Sequence, residues 1–349
     1  MVVGSKDPFL DLDRTELIDE ILEEHFRVSP HLKDIYSKQQ IERCREDIGY
    51  HLDFLRMSVL TDSRIIFVNY LKWLKGLFSS IGLDDEMMVT NFRVMKDIIS
   101  GKLEEKDSGS LELLAMAVEE YPGYPEDVER HISEGGPHAP LANQYLNLLL
   151  EGERHQAMEL ILKMVESGVP VKEIYLDVFE KVQKEIGSLW QMNRITVAQE
   201  HYMTASTQLI MARLYPYIFN SDKKDRKMIA TCVTGELHEI GIRMVADFFE
   251  MEGWGTYYLG ANTPIESLIT TVEDSRPDIL AISSTIPTHV ERVKEMIERV
   301  KNSMGEKAPK IIVGGYPFNT DPNLWKRIGS DGYAKNAIDA VESARSLLE

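Results

Sequence analysis

The sequence predicts two helical blocks followed by a doubly wound parallel-sheet α/β domain. Three observations predict this α and α/β multidomain class. Apolar residues recur at helical spacing through most of the first 220 positions. From Met228 onward, short apolar runs alternate with amphipathic segments, the pattern of a parallel sheet covered by helices on both faces. Breakers separate the parts: Tyr121-Pro122-Gly123-Tyr124-Pro125, then Gly135-Gly136-Pro137, and later the charged run Asp222 to Lys227. The parts so delimited are 1–135, 138–221 and 228–349.

In the first block, Gln39 to Arg56, Ile65 to Ile81 and Met87 to Ile99 have helical periodicity, and Leu111 to Val118 is a shorter helix. In the second, Leu141 to Leu150, Arg154 to Ser167, Val171 to Ile186 and Val197 to Ile218 read as four helices, with Gly152 and Gly168-Val169-Pro170 as breakers. That is a four-helix bundle. In the third, strands are expected at Met228 to Val233, Thr256 to Leu259, Ile279 to Ser283 and Lys310 to Val313, with a last short strand before Ala334. Helices are expected at Ile240 to Glu252, Ile265 to Ser275, Val290 to Ser303 and Ala337 to Leu348. The alternation makes this part Rossmann-like, and such sheets bind ligands at the carboxyl ends of their strands.

Composition narrows the function classes. The net charge of −18 is spread along the chain, which argues against a general nucleic-acid binder, since that needs a basic face. The two cysteines, Cys44 and Cys232, give neither a disulfide framework nor zinc spacing. Residues Met1 to Leu10 lack the basic and apolar regions of a signal peptide, and no apolar run reaches the roughly 18 residues of a membrane span. A cytoplasmic location is expected.

The chemistry concentrates at strand ends. Glu236, His238 and Gly241 form E-x-H-x-x-G where the first strand gives way to a helix. Ser283 and Thr285 form S-x-T after 41 intervening residues (242–282), and Gly314-Gly315 follows after 28 more (286–313). A neutral imidazole suits a borderline transition metal, and a carboxylate two residues away can accept its other ring N–H. A strand-end histidine alone is more often a solvated or capped side chain. The three elements in order resemble the cobalamin-binding domain of corrinoid proteins. That resemblance makes His238 the lower axial ligand of cobalt, with Glu236 behind it. Gly241 would admit the flat corrin, Ser283 and Thr285 would offer hydroxyls to the nucleotide tail, and Gly314 and Gly315 would leave room for that tail.

The second block holds Trp190, nine residues, then Glu200-His201. W-x9-E-H resembles the helical cap of adenosylcobalamin photoreceptors, the MerR-type light-responsive repressors among them. The resemblance implies that Trp190, Glu200 and His201 enclose an adenosyl group whose photolysis changes cap conformation and quaternary structure. The plainer alternatives are a core tryptophan and an exposed polar pair. Gln191 departs from the repressors, which have a histidine there, so the upper cobalt ligand after photolysis is left open. The first block lacks a DNA-binding winged helix and resembles the globin-like bilin domain of photocobilins. Biliverdin would then be a second chromophore near Arg43, Asp47 and His51, spaced i, i+4, i+8 on one helix face. The alternative is a solvated stripe with Arg43 and Asp47 paired. Cys44 reads either as a thioether site or as a structural residue.

The expectation is therefore a non-enzymatic, adenosylcobalamin-dependent light sensor that forms a light-dependent homo-oligomer and signals to another protein. The alternative is a corrinoid carrier of methyl groups in a methyltransferase system, with the same cap and cofactor domain. A radical enzyme is disfavoured, since no substrate barrel is evident.

Overall fold

The structure is a computed structural model that describes residues 7–104, 108–219 and 223–349. The first six residues of the chain, and Asp222 at the head of the charged linker, lie outside the described residues. The chain divides into two compact units, Met1–Asp127 and Val128–Glu349.

The first unit is helical: α1 (Arg14–Val28), α2 (Lys38–Leu60), α3 (Arg64–Ser80), α4 (Asp85–Lys102) and α5 (Gly109–Glu120), with a short helix at Pro30–Ile35 after α1. Asp13 caps α1 by accepting from the Glu16 amide, and a Ser37–Gln40 capping box starts α2. Apolar faces of these helices meet in one core that includes Ile21, Leu55, Phe67, Leu71, Phe92 and Leu114. One polar pair is buried inside this core. Nδ1 of buried His51 lies 2.6 Å from the Tyr70 hydroxyl, and the Phe54 ring stacks on Tyr70 at 3.9 Å.

The second unit begins with four cap helices: α6 (Ala139–Leu150), α7 (Arg154–Glu166), α8 (171–191) and α9 (Val197–Ile218). α8 runs past the expected end at Ile186 and contains a π-helical stretch at Ile174–Phe179. A Thr196–Gln199 capping box starts α9. The segment ahead of α6 is fastened along α8. Buried Glu185 accepts from the His131 amide at 2.8 Å and pairs with Arg130 Nε at 2.7 Å, while Ser188 donates to the Glu129 carbonyl at 2.9 Å.

The sheet follows: β1 (Lys227–Cys232), α10 (Ile240–Met251), β2 (Gly255–Gly260), α11 (Ile265–Ser275), β3 (Ile279–Ser283), α12 (Val290–Met304), β4 (Lys310–Gly314), β5 (Gly332–Ala334) and α13 (Ala337–Leu348). All strands are parallel, in the order β2-β1-β3-β4-β5. The fold class is the expected one. Central strands are buried almost throughout because helices cover both faces, α10 packing with α13 and α11 with α12. One continuous core joins cap and sheet, from Tyr145 and Phe179 to Phe248, Phe249 and Ala340.

The order of strands creates a crevice. The chain leaves β1 toward β2 on one side and returns to β3 on the other, so the loops after β1 and β3 part at the carboxyl edge. Cys232 and Ser283 are level in the register, which brings the two loops side by side.

Candidate functional site

The site is built where these loops meet. Between β1 and α10 the chain turns at Gly235, whose φ of +85° is a left-handed conformation favouring glycine. Asn262 braces this turn: its side chain accepts from the Gly235 amide at 2.8 Å, and its own amide donates to the Glu236 carbonyl at 3.0 Å. Thr234 donates to the Thr263 carbonyl at 2.9 Å.

Held in this way, Glu236 points inward and is wholly buried. Its Oε1 accepts from His238 Nδ1 at 2.6 Å and from the His238 amide at 3.1 Å. Its Oε2 accepts across the crevice from the amides of Thr285 at 2.8 Å and Ile286 at 3.0 Å, and lies 3.2 Å from His289 Nδ1. The Ser284 hydroxyl stands 3.5 Å away. Burial opposes ionisation of Glu236. The bonds from His238, His289 and the Ile286 amide outweigh it and hold the carboxyl well below the usual carboxylate range. An ionised carboxylate only accepts, so both imidazoles donate from Nδ1.

That fixes His238. With Nδ1 engaged, the nitrogen left to bind a metal is Nε2, on a side chain 57% exposed. The bond to Glu236 raises the histidine's pKa, burial opposes this, and the charge of Glu200 on α9 adds to the rise. The cap therefore reaches into the same electrostatic field as the loop. Among the described residues, no group of three or more histidine, cysteine or acidic side chains could hold a metal ion. A lone exposed imidazole with a buried carboxylate behind it suits a metal that arrives inside its own chelating ring. Leu237, 71% exposed beside His238, and Gly241, where a Cβ would meet nothing within 4 Å, leave a flat, open surface for such a ring.

The other expected residues fall in several places. Ser283 and Gly314 are paired in the sheet at this edge. Thr285 engages Glu236 through its main chain. Gly314 and Gly315 also lie close against neighbouring backbone. A Cβ on Gly315 would overlap the Ser284 backbone, at a φ of +105°, and one on Gly314 would lie 3.0 Å from the Ala334 carbonyl. In the cap, Trp190 lies near the end of α8 and is 37% exposed, so it is not a fully enclosed core residue. Glu200 and His201 bond each other at the start of α9, and Glu200 also accepts from Thr204 at 2.8 Å. Arg43, Asp47 and His51 share α2 but not an environment. Arg43 is exposed, Asp47 is half-buried, and His51 is buried and engaged by Tyr70. Sequence spacing singles out neither His289 nor Glu239, the residue that bonds the cap. His289 lies 53 residues from its partner, and Glu239 occupies a variable position inside E-x-H-x-x-G.

The chain is similar to several known proteins. Residues 226–342 match the family model described as B12 binding domain, and residues 141–215 match another model of the same description. A corrinoid protein of Desulfitobacterium hafniense (strain Y51) is 24% identical over 213 residues, which is 60% of this chain and 97% of that protein. A dimethylamine corrinoid protein of Methanosarcina barkeri is 32% identical over 117 residues, covering 33% of this chain and 54% of that one. The monomethylamine corrinoid protein of Methanosarcina barkeri has a similar fold, with a TM-score of 0.55 at 20% identity over 60% of this chain and all of that chain. The chain thus carries B12-binding domains, and its cofactor class is a corrinoid. Among the described residues no helix is long and apolar enough to cross a membrane.

Proposed function

We propose that the chain is a corrinoid carrier, a protein that holds cobalamin by His238 and presents the cofactor's upper face to a partner methyltransferase. The observation that carries this reading is the His238–Glu236 pair, with Nδ1 engaged at 2.6 Å and Nε2 left to ligate. The likeness to corrinoid proteins over nearly their full length supports it. Cobalamin supplies a cobalt–carbon bond that can form and break reversibly. The protein's own residues orient and tune. Glu236 fixes the tautomer and rotation of His238, and the Thr285 and Ile286 amides with His289 keep Glu236 ionised and in place. Ser283, Thr285, Gly314 and Gly315 line the edge where the nucleotide tail would enter, and Gly241 keeps the corrin's approach clear. In this reading the chain holds and presents the cofactor, and the partner methyltransferase supplies the catalysis.

A second reading, an adenosylcobalamin light sensor, is favoured by one observation. Trp190, near the end of α8, is 37% exposed, which leaves an aromatic surface open to cover an upper ligand. Light would then alter the cap and the state of a homo-oligomer, and biliverdin, if bound, would add an absorption band that requires residues 1–127.

The test is reconstitution with cobalamin. In the wild type, reduced to the cobalt(II) state, electron paramagnetic resonance should show splitting from one axial imidazole nitrogen. His238→Ala should lose that splitting and keep its circular dichroism, because the side chain is more than half exposed. Labelling the protein with 15N-histidine separates its imidazole from the cofactor's own base: the wild type should show a 15N doublet, and a doublet retained in the variant removes His238 from the site. Loading with methylcobalamin or adenosylcobalamin and illuminating separates the two readings. A light-driven change of apparent mass with the adenosyl form favours the sensor, and methyl transfer to a corrinoid-dependent methyltransferase favours the carrier.

A further inference from the structure

We propose that Glu239 is the positioning residue that seats the helical cap over the corrinoid face, by way of a bridge to Gln208; this rests on the corrinoid-binding reading above. Glu239 follows His238 directly and its carboxylate is shared by three elements. Oε1 accepts from Gln208 Nε2 of α9 at 2.7 Å. Oε2 accepts from the Tyr258 hydroxyl of β2 at 2.8 Å and from the Ala261 amide beyond it at 3.0 Å. Gly260, at a φ of +75°, makes room, since a Cβ there would come within 2.8 Å of Oε2. One turn further along α10, Arg243 donates to the main-chain carbonyl of Gln208 at 3.2 Å. A single residue of α9 is thus gripped by side chain and by backbone from the first turn of α10.

The placement gives the bridge its consequence. Glu200, Thr204 and Gln208 recur at i, i+4 and i+8, so they form one stripe along α9. One end of the stripe is the Glu200–Thr204 pair, bonded at 2.8 Å, and the other is tied to Glu239. If α9 withdraws from the His238 loop, the Gln208 bonds to Glu239 and Arg243 break. Because His238 and Glu239 are adjacent, a displacement of His238 would be passed through Glu239 to Gln208 of the cap.

The experiment uses the full chain with Gln208→Ala, Glu239→Ala and the double variant. In the protein without cofactor, amide hydrogen exchange over 197–208 should quicken about fivefold in each single variant, the effect of losing roughly one hydrogen bond. The double variant should exchange no faster than the faster single, and α6 should not change. In protein loaded with aquocobalamin, azide should add to the upper face faster in Gln208→Ala, with the imidazole nitrogen splitting of the reduced form intact. Gln208 is half-buried and its replacement removes no buried apolar group, so unchanged exchange and azide rates in that variant overturn the proposal. Additive effects of the two single variants overturn it as well. Loss of the His238 signature from the wild type would instead remove the corrinoid reading, while the exchange measurement without cofactor still decides the bridge.

Discussion

Glu236 and His51 are two buried polar side chains, and they meet burial in opposite ways. Glu236 stays charged because donors converge on it from two loops. His51 has one neutral partner, the Tyr70 hydroxyl, so burial pushes its pKa down to about 3. The sign of the pH effect follows. Below about pH 6.5 the unfolded chain binds a proton at His51 that the folded unit refuses, so stability falls as pH drops toward 3, by up to about 1.4 kcal/mol per pH unit. Asp47 acts the other way. Burial, reinforced by the charge of Glu46 and opposed by Arg43, raises it to about 6, and its folded form gains stability as pH falls from there toward the ordinary carboxylate range. His51→Gln should therefore weaken the loss of amide-exchange protection in α2 and α3 between pH 6.5 and 4.5, and Asp47→Asn should steepen it. Equal acid sensitivity in all three proteins would contradict the assignment.

Among the elements, the end of β4 is the most constrained by its neighbours. Gly315 has a φ of +105° and its hydrogen faces the Ser284 backbone, so Gly315→Ala meets both strain and overlap. A loss of more than about 3 kcal/mol is expected in urea unfolding of the sheet. Gly82→Ala, at a φ of +73° but with nothing within 4 Å, should cost only about 1–2 kcal/mol. Similar losses would mean that backbone conformation alone matters. Most elements are legible in the sequence because each is written locally. Ile265–Ser275 and Ile279–Ser283 begin and end where periodicity and burial put them. α1 has no counterpart among the expected helices, although Leu17, Ile18, Ile21 and Phe26 mark its apolar face. The run of α8 to Gln191 is not visible either, because Gly187 and Ser188, which favour helix poorly, follow directly on Ile186. The Glu236–His238 pair is local too, two residues apart. His289, Ser284 and Gln208 join it only through the strand order and the cap, and no spacing within one element signals that.

At the scale of the molecule, the two hydrophobic cores do not share a residue. One is drawn from residues up to Tyr121 and the other from Leu141 onward. Residues 128–349 should therefore fold alone and bind cobalamin with the axial-nitrogen splitting of the full chain, as checked by equilibrium dialysis and magnetic resonance. Failure of this fragment to fold or bind would make residues 1–127 part of the cofactor site. The first few residues after the division are not slack. Glu185 and Ser188 fasten them to α8, the helix that carries Trp190 near its far end. Along residues 129–131 the attachment works as a splint: a rotation of α8 carries this strip of chain with it, so the start of the second unit keeps step with its cap.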